Sequence, residues 1–447
     1  MINKAKAGKR RIFMKKIMCI LLAGLLAVTL MAGCGGKKTG ADGKVDLLLG
    51  LPGGDGITDF RVVDNFIAAT TDKYNIEIDQ SGWSDFTKKV KLQLVAKNDI
   101  TPVFFTDSAQ VMSFGEQGAL ADLDGYVKET LDETKYNKSL RAITNQEGKL
   151  WGVPHALNSI GILYNKDIFA EKGVALPTDE WTWQDMLDAA EKLTFDRDGD
   201  GKTDVYGIHY ISNITQGWLP FMYAHGVSPL SEDFKKSNLD DPRIIEAMNA
   251  FMEPVNRGLL MEGAEISALG GIETAFAEGK IAMYISQFSS AKQINKFNPD
   301  LNYDAAIMPI GWNGERTCIY VPNAWVIADA VEEPVKKAAW DWISYYLSEE
   351  AQLLQAETVV SGFPIMKSAL DKVSESTSKP LGKDAFYKGI DEFGATILEN
   401  PCSTDVNGVI NNMTVEIRTK EKTVEAAVAD AHKDLQQTLD YFYEQAN

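Results

Sequence analysis

Aspartates recur at alternate positions in the segment 196–204, whose sequence is Asp-Arg-Asp-Gly-Asp-Gly-Lys-Thr-Asp. Carboxylates at the first, third, fifth and ninth positions, with a glycine at the sixth, match the loop of an EF-hand calcium site. The twelfth position is Gly207, so the bidentate glutamate is missing, and calcium would need a remote carboxylate or backbone donor. The sequence predicts a structural calcium site, with a solvated turn as the alternative. Its candidate ligands are Asp196, Asp198, Asp200, Lys202 and Asp204.

Catalytic patterns are sparse elsewhere in the chain. The sequence has no Ser-His-Asp order, no Gly-x-Ser-x-Gly elbow, no phosphate-binding loop and no zinc spacing. Acidic pairs that include Asp107 could imitate the two carboxylates of a glycosidase, but Asp and Glu are abundant enough here for such pairs to arise by chance. We therefore interpret the chain as a non-enzyme that needs no cofactor beyond the possible calcium ion. A surface glycoside-active enzyme is the alternative.

The first 33 residues have the pattern of a secretory signal. A segment with seven Lys or Arg precedes a short apolar run, and small residues lead to Cys34. This pattern resembles the lipobox of bacterial lipoproteins, which implies lipidation of Cys34 and anchoring at the outer face of the bacterial cytoplasmic membrane. Residues 34–43 would form a flexible Gly-rich tether. An uncleaved membrane anchor is the alternative.

The charge of the chain excludes several classes of partner. Removing residues 1–33, which hold seven Lys or Arg and no acidic residue, changes the formal net charge from −18 to −25. Such an acidic surface repels nucleic acid and anionic lipid head groups, so we expect neither as a partner. More than 400 residues remain, and the hydrophobic composition of the chain is 45%. This length exceeds the number of residues that usually fold around a single hydrophobic core, which favours two lobes.

Strand and helix patterns alternate after the tether. Apolar runs at 45–51, 76–78 and 101–107 are separated by segments with helical spacing of apolar residues. This alternation predicts an α/β fold with a parallel sheet, and ligands gather at the carboxyl ends of such strands. The predicted rim holds residues 53–59, 83–85 and 106–110.

Four sequence blocks carry a resemblance to one family. They are the apolar strand and turn at 151–169, the Thr-capped helix at 181–187, the helix-to-strand turn at 276–283, and the Ala-Ala-Trp and Ser-Glu-Glu-Ala-Gln pair at 337–352. In this order and spacing they resemble the family 1 extracellular solute-binding proteins of ABC transporters. The resemblance implies a two-lobed periplasmic-binding-protein-like fold with a ligand cleft between lobes joined by crossing hinge strands.

The resemblance also implies the lobe boundaries. Lobe one would hold residues 44–157 and 311–363, and lobe two residues 161–308 and 366–447. Cys318 and Cys402 then fall in different lobes, where a disulfide would restrain closure. We therefore expect two free thiols, with a disulfide in an oxidising exterior as the alternative.

A sugar-binding cleft needs aromatic platforms for the pyranose face and paired donors and acceptors for the hydroxyls. The implied fold directs several loops and strand ends toward the cleft. Asn158 occupies the crossing-strand position where the family's maltose-binding member has a ligand-contacting carboxylate, and an amide can both donate and accept. The predicted ligand-binding residues are Trp83, Thr106, Asp107, Asn158, Trp218, Tyr223, Phe288, Asn323 and Trp325, with Trp312 as a further aromatic.

These observations predict the function. The chain is expected to be the substrate-binding lipoprotein of an ABC importer, a monomer that captures a carbohydrate by lobe closure, with an oligosaccharide favoured. The closed form would deliver this ligand to membrane permease subunits encoded elsewhere. A sensory protein that presents ligand to a kinase ectodomain is the alternative that the sequence cannot distinguish from a transporter component.

Overall fold

The computed structural model describes residues 42–445, apart from 55–57, 146, 262, 359–361, 397–399 and 401. The predicted signal segment, Cys34 and all but the end of the tether lie outside the described residues, so the lipidation prediction stays a prediction. Among the helices of the described ranges, none combines the length and the apolar character needed to cross a bilayer.

Ten strands form the sheet of the described chain, and their central order is β2-β1-β3-β8-β4-β6-β5. The predicted β-α-β start is confirmed, since β1 pairs in parallel with both β2 and β3. The strands are β1 Val45–Gly50, β2 Tyr74–Asp79, β3 Val103–Asp107, β4 Val153–Asn165, β5 Tyr206–Tyr210, β6 Ile281–Gln287, β7 Tyr303–Ala306, β8 Cys318–Ile327, β9 Phe363–Pro364 and β10 Gly394–Thr396.

Strand β4 connects the two ends of this sheet. All of its 13 residues are buried, which fits its almost uninterrupted apolar sequence. Residues 153–159 pair antiparallel with β8, whereas residues 160–165 pair with β6 and β7. Strand β4 therefore changes its pairing partner next to Asn158, at the predicted crossing point.

Helices flank the sheet, and the predicted Thr cap of the helix at 181–187 is present as part of a capping box. Thr182 accepts from the backbone N–H of Asp185, and the Asp185 carboxylate accepts from Thr182 in return. The helices are α1 Phe60–Thr70, α2 Trp83–Ala96, α3 Ser108–Glu116, α4 Asp124–Thr130, α5 Lys166–Lys172, α6 Trp183–Lys192, α7 Leu219–Ala224, α8 Pro242–Asn256, α9 Gly263–Ala268, α10 Ile272–Ala277, α11 Ser290–Phe297, α12 Glu333–Tyr346, α13 Glu349–Thr358, α14 Lys367–Ser374, α15 Asp384–Phe393, α16 Ser403–Arg418 and α17 Val424–Gln445.

Buried apolar side chains form two clusters. The first covers β1, β3 and α12 and continues to residues 272–305 through Phe288, whose ring stacks on Phe363 at 4.3 Å. The second contains the apolar face of α17 that includes Ala427, Ala431, Leu435 and Leu439. The first cluster contains residues of both predicted lobes, so the clusters do not establish where the lobes end. The lobe limits stay a prediction.

Cys318 and Cys402 are both buried free thiols, as expected. Both cysteines belong to the second cluster, and their assignment to different lobes stays a prediction. Cys318 lies at the start of β8, on the part of the strand next to β10. Burial raises the pKa of both thiols, to about 12 for Cys318 and about 11 for Cys402.

Acid is expected to destabilise the fold through His155. This side chain is fully buried against Phe105, Trp325 and Tyr346, and burial lowers its pKa from 6.5 to about 3. Between these values the unfolded chain binds a proton that the folded chain does not, so stability is full above pH 6.5 and falls as the pH drops. The slope of a single such histidine approaches about 1.4 kcal/mol per pH unit.

Denaturant unfolding between pH 7 and pH 4.5 measures this effect, with His155→Phe as the comparison. His209 adds a similar contribution, since burial lowers its pKa to about 4. The variant should therefore keep part of the pH dependence. Equal slopes for the wild type and His155→Phe would contradict the assignment.

Candidate functional site

A cavity of about 600 Å³ lies beside the crossing point of β4 and β8. Its walls come from both predicted lobes, with Asn158 between them. On the lobe-one side the lining residues are Trp83, Asp107, Ala109, Val321 and Asn323. On the lobe-two side they are Asn213, Ile214, Thr215, Glu273, Gln287, Ser289, Ser290, Lys292, Gln293 and Asn407.

Amide and hydroxyl groups dominate this lining. Six of the 16 lining side chains are Asn or Gln, and three more are Ser or Thr. Each amide offers a donor and an acceptor, and each hydroxyl offers both roles in one atom. Such a wall can hydrogen-bond a ligand that carries many hydroxyl groups.

Asn158 links the two sides of the cavity. Its Nδ2 donates to Oε1 of Gln287 at 2.9 Å and to Oγ of Ser289 at 3.1 Å. The backbone N–H of Ser289 donates to Asn158 Oδ1 at 3.4 Å. These hydrogen bonds fix the position of Asn158 against lobe-two partners. The residue is only 8% exposed, and it lines the cavity.

Asp107 combines a wall position with a local structural role. It caps α3, because Oδ1 accepts from the backbone N–H of Gln110 at 3.0 Å. Burial raises the pKa of this carboxyl, and the hydrogen bonds from Gln110 oppose that rise. Asp107 therefore caps α3 and lines the cavity, while its contact with a ligand stays a prediction.

Thr106 lies outside the cavity wall. It precedes Asp107 on β3, is 4% exposed and pairs with Ala324 of β8. Successive side chains of a strand point to opposite faces, so Thr106 faces away when Asp107 faces the cavity. Its predicted contact with ligand is corrected on this ground.

Trp83 is the aromatic side chain that the described residues contribute to this cavity. It is the first residue of α2, directly after the carboxyl end of β2, and it is partly exposed. Phe105 supports the ring from behind, with centroids 6.0 Å apart. A partly exposed indole held in a polar cavity can stack on one sugar ring.

Three of the predicted aromatic platforms belong to the core instead. Trp325 and Trp218 are 0% exposed, and Phe288 is 4% exposed. Trp325 packs among other rings of the first cluster, while Nε1 of Trp218 donates to Oδ1 of Asn411 at 2.8 Å. Because these rings present no free face, the prediction that they stack on a ligand is wrong for this structure.

The remaining two predicted aromatics lie elsewhere on the surface. Tyr223 lines a separate cavity of about 670 Å³ together with Met112, Phe234 and Tyr320. Trp312 is 39% exposed and stacks on His225, with centroids 4.4 Å apart. Neither side chain meets the lining of the cavity at Asn158.

The aspartate loop brings three of its predicted ligands together. Carboxylate oxygens of Asp196, Asp198 and Asp204 lie within 4.8 Å of one another. Both oxygens of Asp196 accept backbone N–H groups, and Asp200 pairs with Lys202 at 3.6 Å, outside this group. The loop is thus a turn held by its own side-chain to backbone hydrogen bonds. Three carboxylates converge in it, and the calcium site stays a prediction.

Sequence reasoning missed most of the lobe-two wall. Residues 213–215 follow β5, and the segment 287–293 begins at the last residue of β6. Both segments lie at the carboxyl ends of strands, a position that could have indicated them as candidate ligand-binding residues. Glu273 and Asn407 lie inside helices, and no local pattern distinguishes them. Glu273 accepts from Oγ of Ser290 at 3.1 Å, which fixes its carboxylate at the cavity.

Comparison with known proteins gives a consistent result. The sequence model described as "Bacterial extracellular solute-binding protein" matches residues 61–383. A Brucella abortus protein named only as a binding protein is 25% identical over 248 residues, which cover 54% of this chain and 56% of that protein. The chain thus spans about half the length of these Brucella relatives.

Two further similarities cover more of the chain. The diacetylchitobiose binding protein DasA of Streptomyces coelicolor is 24% identical over 421 residues, covering 89% of this chain and 94% of that protein. An ABC substrate-binding protein from Listeria monocytogenes, solved in complex with cycloalternan, superposes with a TM-score of 0.78 at 20% identity. That match covers 89% of this chain and 99% of the solved chain, and it confirms the expected two-lobed α/β fold.

Proposed function

Because the chain belongs to the family of bacterial extracellular solute-binding proteins, we propose that it is the substrate-binding component of a sugar ABC importer. The observation that carries this proposal is the cavity at Asn158, whose walls come from both sides of the crossing strands and are rich in amides and hydroxyls. The names of its relatives support a carbohydrate ligand, since one binds diacetylchitobiose and another is a maltodextrin-binding protein.

The size and lining of the cavity favour a small oligosaccharide. About 600 Å³ falls within the range of small-molecule sites, and a single tryptophan provides one ring platform. We further propose that the protein is a monomer anchored through Cys34 outside the cytoplasmic membrane, and that it delivers its ligand to permease subunits. A signal-like start and a relative named as a solute-binding lipoprotein support the anchoring.

A thermal-shift and calorimetric screen with diacetylchitobiose, maltotriose and mannobiose tests the proposed function. At a ligand concentration 100 times the Kd, binding should add about 2.7 kcal/mol to the free energy of unfolding. Small-angle scattering should show a smaller radius of gyration with the sugar that binds, because the lobes close around it.

Two outcomes would contradict the proposal. If no sugar of a broader panel shifts the melting temperature, the carbohydrate class is wrong. If a bound sugar is hydrolysed during incubation, the chain is an enzyme rather than a binding component.

A further inference from the structure

One polar atom in the cavity wall has no partner within the described part of the chain. It is Oδ1 of Asn407, which is buried and accepts no hydrogen bond there. Asn407 lies near the start of α16 and lines the cavity at Asn158. Buried side-chain acceptors are rarely left unpaired, so this atom requires an explanation.

Several other polar groups of the wall have protein partners. Asn158 bonds to Gln287 and Ser289, Asp107 bonds to Gln110, and Glu273 accepts from Ser290. These side chains are therefore oriented before a ligand arrives. The amide oxygen of Asn407 differs because its hydrogen-bonding capacity is unused.

The same helix provides a structural contrast one turn later. Oδ1 of Asn411 accepts from Nε1 of Trp218 at 2.8 Å, which satisfies both buried groups. The helix thus carries two asparagines four residues apart, one bonded into the core and one that lines the cavity while its buried amide oxygen is unpaired.

We propose that Oδ1 of Asn407 accepts a hydrogen bond from a hydroxyl of the bound sugar and so selects for ligands with a donor at that point. This inference rests on the proposed function and deepens it. A site with a buried acceptor discriminates strongly against an analogue that lacks the donor, because the acceptor then stays unpaired. A sugar deoxygenated at the contacting carbon should therefore bind far more weakly than its parent.

Paired leucine variants test the proposal. Asn407→Leu should weaken binding of the sugar selected by the screen at least tenfold. It should also leave the melting temperature of the free protein unchanged or higher, since it removes an unpaired buried acceptor. Asn411→Leu should show the reverse, with a lower melting temperature because Trp218 loses its acceptor, and with sugar affinity kept.

Each result decides a separate question. If the wild type binds sugar and Asn407→Leu binds equally well, the proposed contact is wrong while the proposed function stands. If Asn407→Leu lowers the melting temperature of the free protein as Asn411→Leu does, the oxygen has a structural partner such as an ordered water, and the proposal is overturned. If the wild type binds no sugar, the proposed function itself fails, and the proposed sugar contact fails with it.

Discussion

Replacing Trp83 with alanine is expected to weaken sugar binding by at least tenfold while the fold stays intact. The indole is the aromatic surface that the described residues bring to the cavity, and it is partly exposed in the free protein. Loss of a stacked aromatic removes about 1–3 kcal/mol, and 1.4 kcal/mol already corresponds to tenfold in Kd. Calorimetric titration with the sugar that binds the wild type measures this change.

Two controls separate a lost contact from a damaged fold. Trp83→Phe keeps a smaller ring on Phe105 and should retain part of the affinity. Thermal melts of both free variants should lie close to the wild type, because α2 keeps its buried face of Phe86, Val90 and Leu94. Unchanged affinity in Trp83→Ala would remove this residue from the site.

Replacing Trp325 with alanine is expected to have the opposite result, a large loss of stability without a direct effect on ligand contacts. The indole is 0% exposed and packs at 5.0–5.4 Å between ring centroids against Phe105, His155, Trp342 and Tyr346. Truncation of a buried tryptophan costs about 3–5 kcal/mol through lost burial and a residual cavity. Denaturant unfolding of the free protein measures this loss.

Trp312→Ala is the matched control for this variant. Its side chain is 39% exposed, so the same truncation should cost far less stability. A Trp325→Ala protein with wild-type stability and weakened sugar binding would indicate that Trp325 contacts the ligand, and it would contradict the packing described above.

The sequence predicted the elements that cross the molecule because their signals are local. The apolar run of β4, the cap of α6 at Thr182, and the early β-α-β alternation each lie within one short continuous stretch of the chain. The position of Asn158 at the cavity followed from the family resemblance, and the structure places it in the wall. Its hydrogen bonds to Gln287 and Ser289 were not predictable, since they join residues far apart in the chain.

Trp325 shows why the aromatic platforms were harder to identify. Asn323 and Trp325 are two residues apart on β8 and therefore point to the same face. Asn323 lines the cavity, whereas Trp325 lies further along the strand beneath α12. Alternation along a strand predicts the face to which a side chain points, but it does not predict how far the cavity extends along that face.

The pairing of β3 with β8 also determines when the protein can fold. Phe105 is opposite Trp325 in this ladder, so its partner is synthesised more than 200 residues later. Closing so long a loop is entropically costly and slows the formation of non-local contacts. The sheet around Trp325 therefore cannot be completed until β8 has emerged during synthesis or export. A truncation before β8 would leave the Phe105 edge of β3 unpaired and exposed to aggregation.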